Sequence, residues 1–78
     1  MADWTLYRGE EKPTSETTAS FSPHKEVAQF YAGRTGYILT LTLPYEEAIN
    51  LPFIKLPEDR VIYYVPQAIY KRAQKDGQ

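Results

Sequence analysis

Arg8 is the side chain in this sequence with the clearest chemical potential, because it follows Trp4 and Leu6 at alternate positions. In an extended segment those three side chains leave from one face, so a guanidinium sits beside two large apolar groups. A charge so placed either pairs with a carboxylate, Glu58 or Glu10, with its stem packed on the aromatics, or receives an anionic ligand. The adjacent carboxylates Glu10-Glu11, Glu46-Glu47 and Glu58-Asp59 are the candidates for acid-base work. Neighbours in extended segments point apart, however, and solvated loop ends account for all three pairs. His24 is the single histidine and there is no cysteine, which leaves no zinc-binding set and no Ser-His or Cys-His pair beyond what His24 supplies. Its position in the first turn of a helix reads as surface. No Walker loop or dinucleotide-binding glycine fingerprint is present. Gly33-Arg34-Thr35-Gly36 has the spacing of a KH loop but joins a helix to a strand, where that loop joins two helices.

The elements that must position these residues follow from periodicity. Trp4 to Arg8 alternates as a short strand ended by Gly9, and Glu10 to Ala19 is polar and aperiodic, a flexible loop that could flap over a pocket. Ser22-Pro23 starts a helix, with serine at the N-cap and proline at the first helical position. Val27, Phe30 and Tyr31 form its inward stripe beside Ala28 and Ala32, and Gly33 stops it. Tyr37, Leu39, Leu41 and Leu43 define the core face of a central strand ended by Pro44. Tyr45 to Asn50 is either a helical turn or a loop. Phe53 to Leu56, between two prolines, reads as an edge strand, and Arg60 to Val65 as a buried one. Pro66 opens a last helix with Ile69, Tyr70 and Ala73 inward and Lys71, Arg72 and Lys75 near its C-terminal end; residues 76–78 fray.

At 78 residues the chain is expected to form one domain, residues 1–78, with a thin core. Seven tyrosines and 42% apolar residues argue for a packed globule over disorder. A net charge of -1 argues against nonspecific attraction to nucleic acid or anionic lipid as the main activity. No apolar run approaches the roughly 20 residues of a membrane span, and the start lacks a signal-peptide pattern, so a reducing, cytoplasmic setting is the expectation. Such a small chain without disulfide or metal is a candidate for a homodimer or a bound partner.

Leu6-Tyr7-Arg8-Gly9-Glu10, Ser20-Phe21-Ser22 running into a helix with Ala28 and Phe30-Tyr31-Ala32, the strand Gly36 to Pro44, and Glu58-Asp59-Arg60-Val61-Ile62 together resemble the arginine-serine-glutamate class of mono-ADP-ribosyltransferases. The resemblance spans residues 6 to 65. It implies that Arg8 contacts the phosphates of NAD, that Ser20 or Ser22 shapes the nicotinamide pocket, and that Glu58 matches the first glutamate of the family's Glu-x-Glu turn. Arg60 then stands where the catalytic glutamate belongs, and a cation there repels a developing oxocarbenium ion. The chain is also much shorter than the family's usual catalytic domain.

The expected fold is therefore α+β: a small, twisted, mostly antiparallel sheet with one central helix and a C-terminal helix, an ADP-ribosyltransferase-like fragment. The leading functional expectation is a non-catalytic module that binds another protein or protein complex, without a cofactor. Tyr45, Tyr64, Tyr70 and Arg34 are its candidate contacts, since aromatics and arginine dominate interfaces. Small cysteine-free single domains are a common form of phage- or mobile-element-encoded inhibitors of bacterial defence complexes, such as anti-CRISPR proteins, and that class is suggested by analogy. The alternatives are a minimal NAD-dependent mono-ADP-ribosyltransferase with Glu58 as its catalytic residue, and a binder of NAD or ADP-ribose without turnover.

Overall fold

The computed structural model describes residues 3–76. Strand β1 (Trp4–Glu10) pairs antiparallel along its whole length with β3 (Tyr37–Leu43), which also pairs with the two-residue β6 (Gln74–Lys75). A second antiparallel sheet has β5 (Val61–Pro66) between β2 (Thr18–Phe21) and β4 (Phe53–Lys55). The domain is thus α+β with two three-stranded sheets, where one sheet is expected from the sequence. Tyr7 and Ser22 join them through a reciprocal pair of backbone hydrogen bonds, 2.7 and 2.8 Å. The core lies between the sheets, Leu6, Leu39, Leu41 and Leu43 from the first meeting Ala19, Phe21 and Val65 from the second.

The leucine alternation of β3 and the edge position of β4 agree with the sequence pattern. Gly9 does not end β1. A Cβ built there would overlap the Ala28 carbonyl oxygen and lie 2.6 Å from the Ala32 nitrogen, so the glycine is where helix α1 (Lys25–Ala32) lies against the strand backbone. This close approach also corrects the helix face. Only small side chains fit in the gap, so Val27, Ala28 and Ala32 are buried, while Phe30 and Tyr31 are 81% and 61% exposed. Ser22 is not the N-cap. His24 holds that position, half-buried and without a side-chain cap, and Gly33 closes the helix at φ 61°.

Tyr45 to Asn50 resolves into a single turn, α2 (Tyr45–Ala48), with Ala48 in the core. The last helix is also one turn, α3 (Gln67–Tyr70), because the chain turns back at Lys71 to Ala73 to add β6. Arg72 forks onto Glu47 instead of serving a helix terminus, with N–O distances of 3.1 and 3.2 Å. Of the tail expected to fray, Asp76 donates its amide to Ile38 and pairs its carboxylate with Lys25 at 2.6 Å; residues 77 and 78 lie outside the described residues.

Candidate functional site

The alternation that places Trp4 and Leu6 toward the core continues through Arg8 to Glu10, so β1 ends its inner face with two charges. Glu10, expected to begin a loop, is a strand residue only 6% exposed. Its Oε2 accepts Arg8 Nε at 2.9 Å, its Oε1 accepts the Tyr37 hydroxyl at 2.9 Å, and the Tyr70 hydroxyl lies 3.0 Å from both oxygens. A buried carboxylate with these donors is satisfied as an anion. Burial, then the bond to Glu10, pushes the Tyr37 phenol up to about 12. Burial likewise raises that of Tyr70, with the Glu10 bond adding to it and the bond from the Thr14 amide opposing.

Arg8 therefore has an ion pair, with the nearer of its two candidate carboxylates. It also reaches β2: Nη1 donates to the Ser20 hydroxyl at 3.2 Å and to the Ser20 carbonyl at 3.3 Å. Among the described residues nothing accepts from Nη2, and the side chain keeps 18% of its surface accessible. A guanidinium held on two sides with one nitrogen free can receive one more anion.

These groups line an open cleft of about 400 Å3, within the roughly 300–1,000 Å3 range of small-molecule sites. β1 supplies Tyr7 to Glu10, the following loop Glu11 to Thr14, β2 and its end Ser20 to Ser22, and α1 Val27, Ala28 and Tyr31. The two serines have different tasks. Ser20 addresses the arginine, whereas the buried Ser22 hydroxyl donates to the Val61 carbonyl at 2.7 Å and accepts the His24 amide at 3.1 Å, fixing the end of β2 to β5.

Glu58 is not brought to this place. It stands 77% exposed in the β4–β5 turn, at φ 65° with Asp59 at φ 61°, and accepts Arg60 Nη2 at 2.6 Å; neither Glu58 nor Arg60 lines the cleft. Of the expected surface contacts, Arg34 is exposed, while Tyr45 and Tyr64 are half-buried, Tyr45 edge-on to Trp4 at 5.7 Å. Tyr70 is buried and its hydroxyl engaged, so it is not available to a partner. The 10–19 segment is irregular only over 11–17, and α3 holds it: the Gln67 side chain donates to the carbonyls of Thr14 and Glu16, its amide donates to Thr17, and Tyr70 accepts the Thr14 amide.

Tyr37 and Tyr31 are the site residues that sequence reasoning passed over, whereas Glu10 is one of the two partners expected for Arg8, and its i+2 relation on the same strand face is the signal for it. For Tyr31 there was none, since the helix pattern points it inward. Compared with family models, with curated proteins and with solved structures, the chain matches none of them. Among the described residues no group of acidic, histidine or cysteine side chains is arranged to hold a metal, and no helix is long and apolar enough to cross a membrane.

Proposed function

We propose that this domain is a non-catalytic, reduced ADP-ribosyltransferase-like core that binds a phosphate-bearing nucleotide, NAD or ADP-ribose, in the Arg8 cleft. The observation that carries the reading is the meeting of Arg8 Nη1 with Ser20 Oγ at 3.2 Å inside a cleft, with Arg8 Nη2 left for an acceptor. Arg8 and Lys12 supply the positive charge for the diphosphate, Ser20 supplies a hydroxyl, and Tyr31 offers an exposed ring at the cleft wall for a base. The fit is chemical: a hydrogen-bonded guanidinium and a hydroxyl are the donors an anionic diphosphate requires.

The position of Glu58 supports the non-catalytic part of the reading. A carboxylate stabilises an oxocarbenium ion only when it lies against the reacting carbon, and Glu58 is outside the cleft with Arg60 on it. Calorimetric titration with NAD and ADP-ribose tests binding, with Arg8→Ala expected to abolish it. Incubation with labelled NAD and candidate targets tests turnover: transfer that is lost in Glu58→Gln establishes the minimal transferase instead.

A second reading, a protein-binding module such as a phage-encoded inhibitor of a bacterial defence complex, draws on the exposed apolar side chains Phe30, Tyr31, Ile49, Phe53 and Ile54. Affinity capture from a bacterial lysate distinguishes it. A partner retained by the wild type and lost on Phe30→Ser and Phe53→Ser favours this reading, particularly if neither nucleotide gives a binding heat.

A further inference from the structure

Glu10 is a buried charge that the nucleotide reading leaves without a task. It is 6% exposed and takes hydrogen bonds from Arg8, Tyr37 and Tyr70. Tyr70 has a second bond. A phenol carries one proton and two lone pairs, so a hydroxyl that gives its proton to Glu10 turns its oxygen to other donors. The donor it meets is the Thr14 amide, at 3.2 Å. Thr14 belongs to the 11–17 loop, whose first four residues wall the cleft. Gln67, three residues earlier on the same helical turn, takes the carbonyls of Thr14 and Glu16 at 2.9 and 2.7 Å. One carboxylate therefore lies between the cation that faces a ligand and the hydroxyl that seats the loop.

We infer that Glu10 and Tyr70 are positioning residues that join the orientation of Arg8 to the seating of the 11–17 loop, so that both walls of the cleft are set together. The ligand part of this inference rests on the nucleotide reading; the loop part does not. Tyr37 provides the comparison, since its hydroxyl bonds the same carboxylate on Oε1 but has no loop partner. Loss of Tyr37 takes one donor from Glu10 and leaves the loop alone. Loss of Tyr70 takes a donor from Glu10 and the acceptor from Thr14.

The test is amide hydrogen exchange across residues 11–17 in the wild type, Tyr70→Phe and Tyr37→Phe, followed by titration of each with ADP-ribose. Exchange at Thr14 is expected to rise about tenfold or more in Tyr70→Phe and to stay at the wild-type rate in Tyr37→Phe. The affinity for ADP-ribose is expected to fall roughly five- to tenfold in Tyr70→Phe, the scale of one hydrogen bond, and by less in Tyr37→Phe. Equal Thr14 exchange in the two variants, or unchanged ADP-ribose affinity in Tyr70→Phe, overturns the inference. If Tyr70→Phe does not fold, Glu10→Gln serves, because its amide nitrogen puts a donor in place of one of the two acceptor oxygens, against either Arg8 Nε or the Tyr37 hydroxyl. Faster Thr14 exchange in that variant supports the coupling, and a wild-type rate refutes it. If the wild type itself gives no heat with ADP-ribose, the nucleotide reading fails, while the exchange comparison still decides the loop part.

Discussion

Gly9→Ala is expected to destabilise the domain by about 2–4 kcal/mol, because it forces α1 away from β1. The added methyl would overlap the Ala28 carbonyl oxygen and lie 2.6 Å from the Ala32 nitrogen, both backbone atoms that no rotamer change can move aside. Either the helix shifts or the strand bends. The interface at risk consists of Val27, Ala28 and Ala32, worth about 2 kcal/mol for the valine and about 0.8 kcal/mol for each alanine methyl. That sum, roughly 3–4 kcal/mol, limits the penalty if the helix comes away entirely, and partial adjustment gives the lower figure. Against a total of roughly 4–12 kcal/mol for a chain of this length the loss is severe, and at about 4–8 °C per kcal/mol it lowers Tm by roughly 10–30 °C. Urea unfolding followed by circular dichroism and by Trp4, the single tryptophan, measures it. A midpoint shift equivalent to less than about 0.5 kcal/mol would refute the argument that backbone contact at Gly9 seats the helix. Gly33→Ala is the control. Nothing lies within 4 Å of a Cβ there, so its cost is backbone strain alone, about 1–3 kcal/mol for a non-glycine residue in that conformation.

Phe30→Ser should leave stability within about 0.5 kcal/mol of wild type, whereas Val27→Ala should cost about 1–2 kcal/mol, and chemical denaturation of the pair checks which face of α1 is buried. Glu58→Gly should stabilise by up to about 1 kcal/mol in a thermal melt, since position 58 holds φ 65° without a glycine. Tyr37 keeps its proton longer in the folded state than in the unfolded chain, so the stability it contributes is complete below pH 10 and declines as pH rises from the phenol's usual 10 toward about 12. Tyrosinate absorbance should show a phenol ionising near pH 12 that is missing in Tyr37→Phe, and the same variant should flatten the alkaline fall in the urea midpoint.

The order of residues along the chain specifies the elements whose pattern is local. The leucines of β3 alternate with threonines, prolines bracket β4, and a run of β-branched and aromatic residues makes β5; backbone geometry alone turns those patterns into strands. It also placed Arg8 on an inward face and named Glu10 as one of its two candidate partners. Tertiary structure decided the rest. The face of α1 depended on Gly9, sixteen residues before the helix begins, because clearance at a backbone crossing favours the small side chains over the apolar stripe read from the helix alone. The last helix stopped after one turn because β3 had an open edge for Gln74 and Lys75 to pair with. Glu10 changed from a solvated loop carboxylate to a buried one because Tyr37 and Tyr70, far along the chain, deliver hydroxyls to it. Helical and strand periods report only which residues share a face; what that face meets depends on contacts between distant segments, and those contacts both assembled the cleft and left Glu58 outside it.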